Sequence, residues 1–354
     1  MGFEEQVYRE TPDESKTTTL SEFVKNACDI MKKPPAEQTP WIGKFVLQIL
    51  ENTKFIDKQM SEIFETVKPD IVIMDYALPI PSLIKTNKPL VYVFSPNFLY
   101  TFYNSEKLPP ASFGLSLSDK TEWAEKRKSL KNFSDALNEW LEENHYLRLC
   151  PLDDKWLGLD HSIRESNEGF KIPESFRNKS EKLIYLSMGT FGCNNVELMS
   201  RLCKLLAKCK HKIIVAKGSS HEMYELAENM WGEPYLPQVE VLPLVDLVIF
   251  HGGNNSFIET LYFGKPMIMM PLLWDQHDNA QRMVEMNIGI RLNPFTVEEN
   301  ELLTSIDFLL NDTEMAARLE QISNYIKASK SMDIAIERIE KIAENPKIPS
   351  VTNF

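Results

Sequence analysis

An α/β fold built on parallel sheets is what this sequence predicts, and three observations carry the prediction. Short, largely apolar runs recur at 71–74, 183–188, 212–216, 244–250, 266–270 and 289–292; strands of that composition are buried on both faces, as in a parallel sheet. Between them lie stretches with apolar residues every three or four positions, the period of a helix. Beyond residue 181 the two kinds of segment alternate regularly, which indicates a doubly wound domain with helices on both faces of an open sheet. With 354 residues the chain is long enough for two such domains, and the first half follows the same pattern less completely.

The first 40 residues are polar and interrupted by Pro34, Pro35 and Pro40, which predicts a short helix over 20–31 and then a loop. Ile42, Phe45, Val46, Ile49, Ile56, Met60, Ile63, Phe64 and Val67 step at helical spacing, so 41–67 is expected to be amphipathic, with one polar turn around Thr53. Lys68-Pro69-Asp70 ends that helix, and strands follow at 71–74 and 90–94. A loop-like, aromatic stretch over 96–120 leads to a helix at 123–140 through Leu130, Phe133, Leu137 and Trp140. The polar run 164–169, with Pro173 beyond it, marks a linker at 166–180 between a first domain, 1–165, and a second, 181–330. Helices at 196–207, 222–230, 255–263 and 279–286 separate the strands of the second domain. Further helical stretches near 297–310, 313–328 and 332–344 close the chain, the last within a C-terminal helix and tail at 331–354.

Composition narrows the function. Fifty-one acidic against 39 basic residues give a net charge of −12, the wrong sign for a general nucleic-acid binder, which needs a basic footprint. No apolar run approaches the roughly 18 residues of a transmembrane helix. The start, Met1-Gly2-Phe3-Glu4-Glu5, is acidic and lacks the apolar core of a secretory signal. The five cysteines are odd in number and form no C-x-x-C pair, so reduced thiols in a cytoplasmic protein are expected. No H-E-x-x-H occurs, and no zinc-like spacing joins histidines to cysteines, so no metal is expected.

The informative run is His251-Gly252-Gly253-Asn254-Asn255-Ser256-Phe257-Ile258-Glu259, directly after an apolar strand and directly before a helix. In an open α/β sheet this is the carboxyl end of a strand, where ligands bind. The glycines let the backbone approach a ligand. Asn255 and Ser256 are good N-cap residues, and a helix N-terminus beside glycines suits a phosphate. Asp275-Gln276 follows the next strand, at the same sheet edge, and a carboxylate beside an amide suits sugar hydroxyls. Ser187-Met188-Gly189-Thr190 closes the first strand of the domain with another small-residue turn, and Tyr235-Leu236-Pro237-Gln238 adds an aromatic ring and an amide.

These elements together closely resemble the UDP-glycosyltransferases: the H-x-G-x-x-S-x-x-E core, the paired D-Q and the x-L-P-Q element occur in family order between about 183 and 292, with similarity reaching back through 68–95. Phrasing such as Leu242-Pro243-Leu244-Val245-Asp246 is similar to invertebrate, detoxification-type members. The resemblance implies two facing Rossmann-like domains of the GT-B type, a UDP-sugar donor, a small lipophilic acceptor and no cofactor. It places a diphosphate against His251, Gly253, Asn255, Ser256 and Thr190, in the turn that Ser187 and Gly189 begin. It puts the ribose on Glu259, the uracil near Gln238 and Tyr235, and the transferred sugar, glucose by preference, on Asp275 and Gln276. Asp75 resembles the acidic partner of a catalytic histidine in a metal-free, inverting displacement.

That histidine has no counterpart. The family places it just after the first strand of the N-terminal domain, whereas no histidine precedes His145 here. The first domain is therefore expected to be incomplete, short by at least one central βα unit, and the chain truncated. Transfer by this chain is then doubtful, with a non-catalytic UDP-sugar-binding protein as the alternative.

Overall fold

The computed structural model describes residues 27–75, 80–84, 86, 88–95, 97, 99, 105–130, 135, 139, 157–176 and 181–345. In the first half, strands β1 (Val72–Met74) and β2 (Leu90–Tyr92) pair in parallel. They pack through Met74, Leu90 and Tyr92 on Ile56 and Met60 of the helix Pro35–Val67, on Ile80, and on Leu83 of the short helix Pro81–Ile84.

The long helix starts earlier than its apolar spacing indicates. Pro35 occupies the first turn, where no intrahelical partner needs an N–H. Pro40 lies inside the helix and forfeits one backbone bond near its start. The polar turn is buried: Thr53 is fully enclosed and its hydroxyl donates to the Ile49 carbonyl at 2.7 Å. The expectation that 71–74 is buried on both faces fails. Ile73 is 56% exposed, while its neighbour Met74 points to the side packed on the long helix. Of the helix expected over 123–140, Trp123–Ser129 is helical, as are Asp135 and Glu139, the two described residues of that stretch beyond Leu130; Phe133, Leu137 and Trp140 lie outside the described residues, as do residues 1–26 of the expected N-terminal segment.

The second half is a six-stranded parallel sheet of β3 (Leu183–Ser187), β4 (Lys212–Ala216), β5 (Met230–Glu233), β6 (Leu247–Phe250), β7 (Met267–Met269) and β8 (Gly289–Arg291), in the order β5-β4-β3-β6-β7-β8. Numbered within the domain this is 3-2-1-4-5-6, the doubly wound order, whose direction reverses between β3 and β6. Four β3 residues pair with four of β6, from Ile184 with Leu247 to Ser187 with Phe250. Ile184, Leu186, Ile213, Ile214, Leu247 and Ile249 are fully enclosed, and each such side chain contributes about 1.5–3 kcal/mol by leaving water.

One expected helix is replaced. Over 222–230 the chain forms a 3₁₀ turn at His221–Met223 and then enters β5 at Met230. A β-carbon on Gly232 would stand 3.0 Å from the Val215 side chain, so the strand depends on a residue without one. The stretch marked as a linker is seated on the second half. Glu240 accepts from the Ser166 hydroxyl at 2.6 Å and from the Glu168 and Phe170 amides at 2.7 and 2.6 Å, and Phe176 joins the main core. Helices Glu299–Asn311, Thr313–Ala328 and Ser331–Glu344 follow the sheet. Asp312 caps the second of them through the Met315 amide at 2.9 Å. Among the described residues no helix is long and apolar enough to cross a membrane.

Candidate functional site

The turns after β3, β6 and β7 lie side by side because their strands do. The first two flank the point where strand order reverses, and a crevice opens there. His251, the first residue after β6, lies in it between two glycines. A β-carbon on Gly189 would stand 2.5 Å from Nε2 and Cε1, and one on Gly253 would overlap Nε2 as well. Both glycines are therefore needed to let the imidazole stand there. Burial pushes the ring's pKa down to about 4, against the pull of the Ser187 main chain, and Nδ1 is buried without a hydrogen-bond partner.

The helix after this turn is Asn254–Tyr262, and its N-cap is Gly253, with no side chain to cap it. Asn255 and Ser256 are thus first-turn residues and not the caps expected from sequence. The early amides are left without a side-chain acceptor, which makes the N-terminus a ready anion seat. Ser256 turns toward Gln238, whose Nε2 donates to the Ser256 hydroxyl at 3.1 Å and to Glu259 Oε2 at 2.5 Å. Glu259 is 2% exposed, and its other oxygen accepts from Arg164 Nη2 and Nε at 3.2 and 3.3 Å. Sequence reasoning missed Arg164, which lies 95 residues away and carries no local signal. Tyr235 is two-thirds exposed, its hydroxyl 3.3 Å from Glu168, so its ring face is open to solvent. Thr190 is exposed at the start of the helix Gly189–Cys193.

After β7 the helix Asp275–Glu285 begins four residues before its expected start, with Asp275 and Asp278 in the first turn, where acidic groups complement the helix dipole. Gln276 bends back on its own loop: Oε1 accepts from the Leu272 and Leu273 amides at 2.9 and 3.1 Å. Trp274, just before it, has φ 54° and packs on Phe45 and Phe191, with ring centroids 5.6 and 5.8 Å apart. Asp275 accepts from the Asn97 amide at 3.1 Å, and burial pushes its pKa up to about 6.

Three carboxylates on this helix take main-chain N–H groups from the first half. Besides Asp275, Asp278 accepts from Ser112 and Gly114 at 2.6 and 2.8 Å, and Glu285 accepts from Leu117 at 2.9 Å. Gln38, fully enclosed, adds a bond to the Leu272 carbonyl at 3.0 Å. Asp75 is exposed at the end of β1, and Ser95 Oγ donates to it at 3.3 Å. The Ser95 carbonyl accepts from Asn254 Nδ2 at 2.9 Å, so Asp75 lies two links from the helix N-terminus. Among the described residues no group of three or more His, Cys, Asp and Glu side chains could hold a metal ion.

Known proteins resemble this chain in sequence and in fold. A family model described as UDP-glucoronosyl and UDP-glucosyl transferase matches residues 164–343. The uncharacterized UDP-glucosyltransferase YdhE of Bacillus subtilis (strain 168) is 31% identical over 167 residues, covering 46% of this chain and 42% of that protein. The match thus spans less than half the length of that relative. The NDP-glycosyltransferase YjiC of Bacillus subtilis (strain 168) is 23% identical over 319 residues, covering 86% of this chain and 80% of its own length. The solved structure of glycosyltransferase VinC in complex with DTDP superposes with a TM-score of 0.61 at 15% identity, covering 95% of this chain and 84% of that one. The fold is GT-B.

Proposed function

Because this chain belongs to the UDP-glucoronosyl and UDP-glucosyl transferase family, we propose that it binds a UDP-sugar and transfers the hexose, glucose by preference, to a hydroxyl of a small lipophilic acceptor. In this reading residues 181–330 hold the donor and residues 1–165 the acceptor. The observation that carries it is the His251 ring between Gly189 and Gly253, over a helix N-terminus that no side chain caps. A diphosphate fits that chemistry: it supplies acceptors for the open amides and charge for the dipole, worth about 0.3–1 kcal/mol per charge and up to about 2 when partly buried.

In this reading ribose hydroxyls take the Glu259 carboxylate in place of Arg164, and the sugar lies on Asp275 and on the Nε2 end of Gln276, whose Oε1 is held by its own loop. Transfer is an inverting displacement without a metal ion: the acceptor oxygen attacks the anomeric carbon as the anomeric C–O bond to the β-phosphate breaks, and the hydroxyl proton leaves to solvent water. The departing UDP takes up negative charge, which the helix N-terminus and His251 stabilise without reorganising.

A second reading, a chain that holds the donor but transfers slowly, is favoured by one observation. Asp75 has Ser95 Oγ as its hydrogen-bond partner, and no histidine precedes His145, so no base among the described residues stands beside Asp75.

Titration calorimetry with UDP tests the site itself, comparing the wild type with His251→Ala and Glu259→Ala. Loss of tenfold or more in each variant is expected. A wild type that does not bind UDP, or variants that bind as it does, would overturn the proposal.

A further inference from the structure

One strand-end segment of the first half enters the site at three points. The Ser95 carbonyl accepts from Asn254 Nδ2, the Asn97 amide donates to Asp275, and Asn97 Nδ2 donates to Asn279 Oδ1 at 2.7 Å. Both ends of the Asn97 carboxamide are engaged, because its Oδ1 accepts from the Leu99 amide at 3.0 Å. Asn279 passes the chain on: its Nδ2 donates to the Gly252 carbonyl at 2.9 Å, and it is buried. Leu99, Asn97, Asn279 and Gly252 thus form a directional relay of amide hydrogen bonds, in which each dipole polarises the next. The relay ends in the glycine turn beside His251 and passes alongside Asp275. Gly252 itself has φ 86°, so the turn it holds is one that few side chains would adopt.

We propose that Asn97 is a positioning residue for the donor sugar: its carboxamide, pinned between the Leu99 amide and Asn279, aims the main-chain N–H through which residue 97 holds Asp275. The inference rests on the reading of the site as a UDP-sugar seat, with Asp275 facing the sugar. Nothing in the relay touches Glu259, Gln238 or the open amides of the Asn254–Tyr262 helix. Without the Asn97 side chain, Asn279 keeps its own bond to the Gly252 carbonyl, so the nucleotide seat stays, whereas the main-chain N–H on Asp275 loses its anchor. Asn279 differs, since removing it releases the glycine turn too.

Calorimetry on the full chain with UDP, UDP-glucose and UDP-glucuronate separates these parts. The UDP-sugar that the wild type binds more tightly serves as the sugar probe. For Asn97→Ala the affinity for UDP is expected to stay within about twofold, while that for the UDP-sugar falls about tenfold, or about 1.4 kcal/mol. Asn279→Ala is expected to weaken both ligands. Asn97→Asp separates positioning from a local turn role: its carboxylate still accepts from the Leu99 amide, as turn residues do, but it has no proton for Asn279 Oδ1. Asn279 can answer it only by turning its amide round, which gives up Gly252. The aspartate variant should therefore lose UDP-sugar affinity as the alanine variant does.

Full recovery in Asn97→Asp would reduce Asn97 to a turn residue and overturn the proposal. Equal loss of UDP and UDP-sugar in Asn97→Ala, or loss of neither, also overturns it. A wild type that binds no UDP defeats the functional reading itself, and this inference with it; UDP binding by the wild type with the wrong pattern in the variants defeats this inference alone.

Discussion

The imidazole of His251 lies against Gly253 so closely that a β-carbon there would overlap its Nε2, although Gly253 has an ordinary φ of −60°. Alanine at 253 is thus excluded by the ring and not by the backbone. We expect Gly253→Ala to displace the ring and weaken UDP at least tenfold while leaving the melting temperature within a few degrees. Gly43, inside the long helix with nothing within 4 Å, is the control: alanine there should stabilise by about 0.8–1.0 kcal/mol and leave UDP binding unchanged. Undiminished UDP binding by Gly253→Ala would count against the histidine as a phosphate contact.

Proton uptake should accompany donor binding. Burial holds His251 neutral, down to about 4 from 6.5, and a bound diphosphate favours its charged form. Binding then draws a proton onto the ring, and affinity for a UDP-sugar rises as pH falls from about 7 toward 5. Asp275, pushed up to about 6, titrates in the same window, so the useful quantity is the difference between wild type and His251→Gln. Calorimetry at pH 6 in buffers of different ionisation heat measures that difference. An identical proton count for the two proteins would remove His251 from the account.

Asp278 should make the chain less stable as pH rises. Burial lifts its carboxyl to about 7 from 3.8, against the pull of the Ser112 and Gly114 amides and of Arg291, and with a further push from Asp275. Between those values the folded chain keeps a proton that the unfolded chain has released, so stability falls as pH rises through the folded value. Relative to Asp278→Asn, the wild type should lose about 4 °C of melting temperature between pH 5 and pH 8, the size of an effect of one to two kcal/mol in a protein of this scale. Differential scanning calorimetry at four pH values checks it, and a constant gap would show that the group does not titrate there.

On the second reading, transfer is slow and shows a marked preference for acidic acceptors. A positioned general base contributes about 10²–10⁴-fold, and none stands beside Asp75 among the described residues. Phenols that ionise near neutrality should therefore react at least about a hundredfold faster than aliphatic alcohols of similar size. Comparable turnover on both would mean that a base is at work.

The second-half sheet was legible because strands such as 183–187 and 247–250 are almost wholly apolar, and a parallel sheet covered on both faces requires that. The failures have local causes. Met230–Glu233 carries Trp231 and Gly232 within four residues, too short and mixed a pattern to compete with the helical spacing before it. Ile73 belongs to an apolar run, yet burial depends on the elements placed over it, which four residues cannot specify. In the site, the contiguous motif around His251 and the Asp275-Gln276 pair could be read directly. Arg164, Asn97 and Gln38 could not, because each reaches the site from far along the chain. Asn279 was accessible in principle, four residues after Asp275 on the same helical face.

The helix Asp275–Glu285 grips the first half through main-chain N–H groups at Asn97, Ser112, Gly114 and Leu117. Every amino acid but proline supplies that group. Of the four, Gly114, at φ 62° with the His277 carbonyl 2.6 Å from where a β-carbon would stand, is tied to its residue type, and Ser112, at φ 75°, is restricted to residues that accept a left-handed backbone. The loops of the first half can therefore diversify in side chain while the two halves stay docked.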